Sequence, residues 1–287
     1  MEVEVLSKLG ILYIGLGDYI VFWDEFYRSF EEKFLVECDK EYFVFTDRID
    51  SIQPVKDKVN VIAQENLGWP GNTLYRFDMF LSIKDRLVSK DYVFFFNANY
   101  MCSKEVILED VNDLKASLTV VEHPGFQGRR NYYFNYDRNK KSLAYIPYGE
   151  GEHYVQGCLI GGKPDCFIKM CSILSENIHS DDANGVIAEW HDESHLNRYI
   201  CDNRDYYLLD PGFAYPEFTV GDRDYSPKLV LRDKEKYITY VGKKRRSKYW
   251  LYYKKKILVG CLHEVLDKVG NRRIKKSMNR CSYNRHG

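Results

Sequence analysis

Through the first hundred residues, short apolar runs of strand length alternate with longer segments of helical periodicity, and this alternation constrains the fold more than any other feature. "ILYIGLGDY" (11–19) reads as a buried strand running into a glycine-punctuated turn. In "FWDEFYRSFEEKFL" the aromatics Phe22, Trp23, Phe26, Tyr27, Phe30 and Phe34 recur at helical spacing. "YFVFT" (42–46) and "VNVIA" (59–63) read as two more strands, and "TLYRFDMFLSIKDRLV" as a helix with Phe77, Phe80 and Leu87 turned inward. "DYVFFF" (91–96) has no polar alternation and reads as a strand buried on both faces. Strands alternating with helices predict an α/β domain with a mixed, mostly parallel central sheet and flanking helices. Further on, "SLTVVE" (117–122) and "GCLIGG" (157–162) read as strands, and "PDCFIKMCSILSENI" opens on Pro-Asp, a good helix start.

The 287 residues suffice for one large α/β domain or two small ones. No repeat or low-complexity linker precedes residue 243, so 1–242 is read as the main domain and 243–287 as a tail. Eight cysteines carry no C-x-x-C pair, which excludes a zinc ribbon and suits a reducing compartment. "MEVEVLSKLGILYIGLGDYI" lacks a basic leading region, and Asp18 interrupts its apolar run; it reads as neither a signal peptide nor a membrane span. Formal net charge is zero but unevenly spread. From Lys243 to Gly287 there are 15 Lys and Arg against 2 Asp and Glu, which leaves 27 against 40 in the rest. A basic tail on an acidic body points to an anionic partner surface.

Ligands of open α/β sheets bind beyond the carboxyl ends of the strands. Gly15-Leu16-Gly17, Asn97-Ala98-Asn99 and Gly161-Gly162 are expected there, though Gly-x-Gly without the rest of a dinucleotide fingerprint is weak. The densest polar cluster is "EWHDESHLNRY" (189–199). Leu196, Tyr199 and Ile200 have helical spacing, so a helix is expected to start near Asp192, with Asp192 and Glu193 in its first turn. The helix dipole would favour their ionised forms, and a carboxylate kept charged there can attack or stabilise a cationic sugar centre. The plain alternative is an N-cap with acidic followers. His191 and His195 have the spacing of a zinc pair, but H-E-x-x-H order and a third ligand are missing, so no metal site is assigned to them.

Several strings together resemble glycosyltransferase family 6, the blood-group A and B transferases and the α-1,3-galactosyltransferases. They are "GWPGNTLYRFDMF" (68–80), "FFFNAN" (94–99), "EHPGF" (122–126), "FNYDRNKKSLAYIPYGEGEHY" (134–154), "GG" (161–162) and "WHDESHLNRY" (190–199), the last being close to a family signature. The resemblance covers roughly residues 10–240. It implies a GT-A fold for 1–242 and transfer of galactose or N-acetylgalactosamine from the UDP-sugar to the 3-hydroxyl of a galactoside, with retention of the α configuration. Glu193 matches the family's catalytic group, as covalent nucleophile or as ion-pair stabiliser. Asp192 matches the acid that hydrogen-bonds donor sugar hydroxyls.

The same resemblance carries Ile14, Gly15, Leu16 and Tyr19 onto the uracil-receiving segment, where the Tyr19 ring could stack on the base; Ile14 and Leu16 are equally at home in a core. Arg76 matches a helical arginine suited to phosphate or carboxylate, the alternative being a solvated helix residue. His123 matches the acceptor histidine of the blood-group enzymes and favours a fucosylated acceptor, Fucα1-2Gal; otherwise it is a turn histidine before Pro-Gly. Trp190 matches an acceptor-side tryptophan, or is core. Gln156, Gly157 and Cys158 align with the stretch that separates the two donors. Cys158 is larger than the glycine or alanine found there and gives a slight lean to galactose, against which Gln156 departs from both patterns.

One departure matters most. Vertebrate members carry Asp-x-Asp where this chain has Asn97-Ala98-Asn99. Two neutral amides hold a hard divalent cation far less well than two carboxylates. The expectation is therefore a metal-independent enzyme without cofactor, as the resemblance implies for bacterial members with this substitution. Positive side chains must then offset the diphosphate: Arg76, or Arg232, Lys234 or Lys236 of "LRDKEK" (231–236), because the family's C-terminal segment folds over UDP. Asn97 and Asn99 remain able to hydrogen-bond donor sugar or phosphate, or simply to end the strand. The tail interleaves cations with Tyr249, Trp250, Leu251, Tyr252 and Tyr253, a composition suited to an anionic membrane surface. No nucleic-acid fold signature accompanies it; a disordered basic tail is the alternative. The chain reads as bacterial and cytoplasmic, peripheral on the inner face of the cell membrane where a lipid-linked acceptor would lie. A fold that kept UDP-sugar or glycan binding and lost catalysis is the rival reading.

Overall fold

The computed structural model describes residues 7–52, 56–218, 225–238 and 254–269. Strands β1 (Lys8–Ile14), β2 (Asp39–Thr46), β3 (Val59–Ala63), β4 (Tyr92–Phe96), β6 (Leu118–Glu122), β7 (Val155–Gly162) and β8 (Tyr206–Leu209) form a seven-stranded sheet in the order β3-β2-β1-β4-β7-β6-β8. Strands β1 to β4 are mutually parallel, as are β6 and β8. The sheet is mixed because β7 runs antiparallel to both of its neighbours. A small second sheet joins β5 (Tyr100–Cys102), β10 (Leu229–Leu231) and β9 (Tyr215–Pro216) in the order β5-β10-β9.

The aromatic run of β4 works because both sheet faces are covered. Tyr92, Phe94 and Phe96 face one core, against Phe26, Phe30 and Phe34 on and just after helix α1 (Trp23–Lys33). Val93 and Phe95 face the other, against Phe77, Phe80 and Phe167. The rings of Phe26 and Phe30 stack at 4.1 Å and Phe30 meets Phe96 edge-on at 4.8 Å. Such aromatic pairs add to the burial of their area, and truncating one to alanine costs about 3–5 kcal/mol.

The long helix expected over 73–88 is broken into α2 (Gly68–Leu74), α3 (Arg76–Leu81) and α4 (Lys84–Leu87). Helix α5 (Pro164–Ala183) begins at its proline as expected, and α6 (Asp192–Asp202) begins at Asp192. A further helix, α7 (254–269), lies in the tail. The tail aromatics Tyr249 to Tyr253 fall outside the described residues. Among the described residues no helix is long and apolar enough to cross a membrane.

The direction of β7 corrects one placement. Gly161 and Gly162 pair with Phe94 and Val93, so they sit away from the strand ends that bear ligands. Their small size serves packing: a Cβ on Gly161 would lie 2.4 Å from the Phe94 ring, and one on Gly162 2.7 Å from Leu118. Because β7 is reversed, its amino end, Val155 to Cys158, lies beside the carboxyl end of β4. The Asn97 N–H donates to the Cys158 carbonyl at 2.8 Å.

Candidate active site

A cleft of about 1530 Å³ opens where β1 and β4 end and β7 begins. This exceeds an ordinary small-molecule pocket and has room for two substrates. Ile14, Leu16, Gly17, Asp18 and Tyr19 line one wall; Asn97, Ala98, Gln156, Gly157 and Cys158 line the floor; Trp190, His191, Asp192 and Glu193 form the opposite wall. Of the family-derived residues these are brought together, with Arg76.

The first wall is a turn fixed from behind. Thr46 Oγ1 donates to the Gly15 carbonyl at 2.8 Å, and the Gly17 N–H donates to Asp47 Oδ1 at 2.7 Å. Gly17 has φ +57, a backbone region that favours glycine. Gly15 does not line the cleft: a Cβ there would meet the Tyr13 ring at 2.7 Å and Ile20 at 2.9 Å, so its smallness serves packing. The Tyr19 ring stands in the cleft with the Lys234 ammonium 5.1 Å from its centroid.

The opposite wall carries the acids. His191 is the N-cap of α6 at φ 52, an uncommon conformation for a residue with a side chain, and its ring packs edge-on to Trp69 at 5.1 Å. Asp192 therefore occupies the first helical position rather than the cap itself. It is buried and pairs with Arg76, whose Nε lies 3.1 Å from Asp192 Oδ2. Arg76 is itself buried, and its Nη1 donates to the Gly157 carbonyl at 2.8 Å. Of the two partners the sequence allowed, phosphate or carboxylate, the guanidinium holds a carboxylate.

Glu193 receives two hydrogen bonds: Tyr154 Oη donates to Oε1 at 2.7 Å and the Gly157 N–H to Oε2 at 2.9 Å. These fix the carboxylate plane while leaving the side chain partly open to the cleft. The expectation that the helix dipole favours the ionised forms meets an opposing effect of burial. Burial dominates and pushes Asp192 up to about 7, against the opposing pull of Arg76; burial raises Glu193 as well.

A buried amide fixes the distance between helix and strand. Asn197 Nδ2 donates to the Val155 and Glu193 carbonyls, each at 2.9 Å, while its Oδ1 accepts the Val155 N–H at 3.0 Å. Sequence reasoning passed over both Asn197 and Tyr154. The signal for Asn197 was an amide one turn after Glu193 on an otherwise apolar helix face. Tyr154 had no local signal, because it reaches Glu193 from another element.

The two asparagines of Asn97-Ala98-Asn99 diverge. Asn97 faces the cleft. Asn99 is buried, and its Nδ2 donates to the Arg232 carbonyl at 2.7 Å while the Arg232 N–H donates to the Asn99 carbonyl at 2.8 Å. Asn99 thus anchors the segment after β10; its Oδ1 is buried without a hydrogen-bond partner among the described residues. An ionised aspartate could not make this donation. The Arg232 guanidinium turns away from the cleft to Glu25 and the Tyr237 hydroxyl, so of the basic candidates Lys234 lines the cleft and Arg232 does not.

His123 does not line the cleft. Its Nδ1 accepts the Gly125 N–H at 2.9 Å, and burial lowers it to about 4, so it is a neutral turn histidine. Its ring lies 5.6 Å from that of Tyr154, which holds Glu193. Trp190 lines the cleft, and its indole N–H has no partner among the described residues. Cys158 Sγ is buried and lies 3.0 Å from the Tyr100 hydroxyl, so its bulk is not turned into the open cleft and the steric lean to galactose loses its footing. His191 and His195 part company: His195 is buried 3.6 Å from Asp181 Oδ2. No cluster of three His, Cys, Asp or Glu side chains able to hold a metal occurs among the described residues.

The sequence profile of glycosyltransferase family 6 matches residues 5–236. This chain belongs to glycosyltransferase family 6. Its seven-stranded mixed sheet with flanking helices is of the GT-A type. The chain is 38% identical to an O-antigen biosynthesis glycosyltransferase, WbnI, of Escherichia coli over 79% of its length and 95% of that protein. It is 30% identical to histo-blood group ABO system transferase 1 of Rattus norvegicus over 75% of its length and 63% of that protein. It is 29% identical to globoside alpha-1,3-N-acetylgalactosaminyltransferase 1 of Gallus gallus over 73% of its length and 62% of that protein. The chain thus spans somewhat under two thirds of the length of these vertebrate family 6 relatives. The family match ends at residue 236, so α7 lies beyond it.

Proposed function

We propose that this family 6 glycosyltransferase is a retaining α-1,3-hexosyltransferase. It moves galactose or N-acetylgalactosamine from the UDP-sugar to the 3-hydroxyl of a galactoside, with Fucα1-2Gal as the preferred acceptor, and needs no divalent metal. The observation that carries the reading is the fixed Glu193 carboxylate in the wall of a two-substrate cleft. Retention requires a group on the face of the donor sugar opposite the leaving UDP. A carboxylate whose plane is set by Tyr154 and Gly157 meets that demand, either by attacking the anomeric carbon or by pairing with the positive charge that develops there.

In this reading Asp192 accepts hydrogen bonds from donor hydroxyls, and Arg76 favours its ionised form against the burial that raises its pKa. Lys234 and the Tyr19 ring receive the nucleotide, and Trp190 offers an apolar face to the acceptor sugar. The relatives' names bear an O-antigen, a blood-group and an α-1,3-N-acetylgalactosaminyl role, so a blood-group-like bacterial surface glycan is the setting proposed. The choice between the two donors falls to Gln156, whose Oε1 is buried without a partner among the described residues. Metal independence is argued from the amides. Asn97 brings no charge to the cleft, and Asn99 spends its donor on the Arg232 backbone.

The test is a panel of UDP-sugars against Fucα1-2Gal and unfucosylated galactosides, with and without EDTA. The expected outcome is transfer to the fucosylated acceptor that EDTA leaves unchanged. Activity that disappears with EDTA and returns with Mn²⁺ refutes the metal assignment. Binding of UDP-sugar with neither transfer nor donor hydrolysis refutes the enzyme assignment.

A further inference from the structure

Helix α7 is amphipathic in the reverse of the usual sense. The face it turns to the body is polar or small. Lys256 Nζ bonds both carboxylate oxygens of Glu189 at 2.9 Å, and the His263 ring stacks on Tyr148 at 4.0 Å. Glu264 pairs with Arg130 and accepts the Tyr133 hydroxyl, and Asp267 accepts the Tyr132 hydroxyl at 2.6 Å. Gly260 lets the helix approach so closely that a Cβ there would sit 2.6 Å from the Tyr132 carbonyl oxygen. The opposite face carries Leu258, Leu262, Val265, Leu266 and Val269, which recur at spacings of three and four residues and are 43–70% exposed. A helix that merely packs on a domain buries its apolar stripe. Here polar groups hold the helix in place and the apolar stripe points outward, covered by nothing among the described residues.

The charges on either side indicate what the stripe meets. Residues 243–256 contain eight Lys and Arg and no acid, and residues 270–287 contain six and no acid. An exposed apolar stripe between basic segments has the two elements of an interfacial membrane helix: acyl-chain burial and attraction to anionic headgroups. A protein partner would explain the stripe but not uniformly positive flanks on both sides.

We propose that α7 lies in the plane of an anionic bilayer with Leu258, Leu262, Val265, Leu266 and Val269 in the acyl boundary, and that it fixes the orientation of the cleft. The helix is braced on 130–149 and on Glu189, the residue next to Trp190 at the cleft wall. Docking by this stripe therefore turns the Trp190 side of the cleft toward the membrane, where an acceptor on a lipid carrier would be presented. The docking stands without the transferase reading; the lipid-linked acceptor rests on it.

The experiment is co-sedimentation of the full chain with vesicles of phosphatidylglycerol and phosphatidylethanolamine, and separately of phosphatidylcholine. Alongside it go the triple variant Leu258→Glu, Leu262→Glu, Leu266→Glu, a thermal melt, and transfer to a soluble acceptor. The expected result is binding to the anionic vesicles that is at least about tenfold weaker for neutral ones and weakens with salt. The triple variant should lose about tenfold or more of that binding while its melting temperature and soluble-acceptor activity stay the same. Wild-type protein that ignores anionic vesicles overturns the proposal, as does a triple variant that binds like wild type. A wild-type dimer that the same substitutions convert to monomer also overturns it, because the stripe is then covered by a second copy. None of these outcomes touches soluble-acceptor transfer, so failure of the docking and failure of the transferase reading are separable.

Discussion

The two sides of the cleft handle charge in opposite ways. On the β7–α6 side two carboxylates, Asp192 and Glu193, stand next to each other with a buried arginine for company: Arg76 pairs with Asp192 and bonds the Gly157 carbonyl, and both Glu193 oxygens accept hydrogen bonds. On the β4 side the strand ends in amides: Asn97 meets the cleft and Asn99 ties two backbone segments together, while the segment after β10 brings Lys234 and Glu235 to the rim. The difference shows where a substrate's charge can be met. Arg76 is committed to Asp192 inside the protein, so under the proposed function a diphosphate would be met by Lys234 or Arg48, the other cations that line the cleft.

The largest expected effect comes from removing charge on the acid side. Glu193→Gln keeps the size of the side chain and loses its charge, and should lower the transfer rate by roughly 10²-fold or more while UDP binding persists. Single-turnover transfer and isothermal titration with UDP measure the two; near-normal transfer ends the assignment of Glu193.

The next effect is a movement along the pH axis. Asp192 ionises at about 7, so if it must accept hydrogen bonds as a carboxylate, the rate falls as pH drops through that value. Arg76 lowers this pKa, so Arg76→Met should move the acidic limb of the rate profile to higher pH and reduce activity at neutrality. A limb that stays in place means that another group titrates.

The smallest effect is on the amide side. Asn99→Asp replaces a donor by a carboxylate aimed at the Arg232 carbonyl, and should destabilise the fold by about 1–3 kcal/mol with only modest loss of rate. Thermal denaturation reads this. An unchanged melting temperature would show that the Asn99 bond to Arg232, just after β10, carries no weight, and with it the contrast between the two walls.

Much of this was legible in the sequence where local pattern governs. The buried aromatic strand, the helix opening at Asp192 and the acid pair follow from spacing and residue type. What was illegible depends on elements distant in the chain. Reversal of β7 cannot be read from "GCLIGG", because a buried strand looks the same in either direction, and the placement of Gly161 and Gly162 failed for that reason. The dipole argument for Asp192 was incomplete because burial, a tertiary property, opposes a local field. Arg232 and Lys234 are two residues apart, yet one faces Glu25 and the other the cleft. Asn197 and Tyr154 act through a strand and a loop some forty residues from their partners in one direction, and no short window contains both ends.

Asn99 is clamped by Arg232 across most of the length of the catalytic fold. A ribosome making this protein therefore releases the acid pair well before the segment that secures the opposite wall. Until residues 229–238 have emerged, the nascent chain owns Glu193 and lacks Lys234. If Lys234 receives the nucleotide as proposed, a donor sugar stabilises only the completed fold, so ligand added during synthesis or refolding should act late, on the closing step, and leave the early collapse of the sheet untouched.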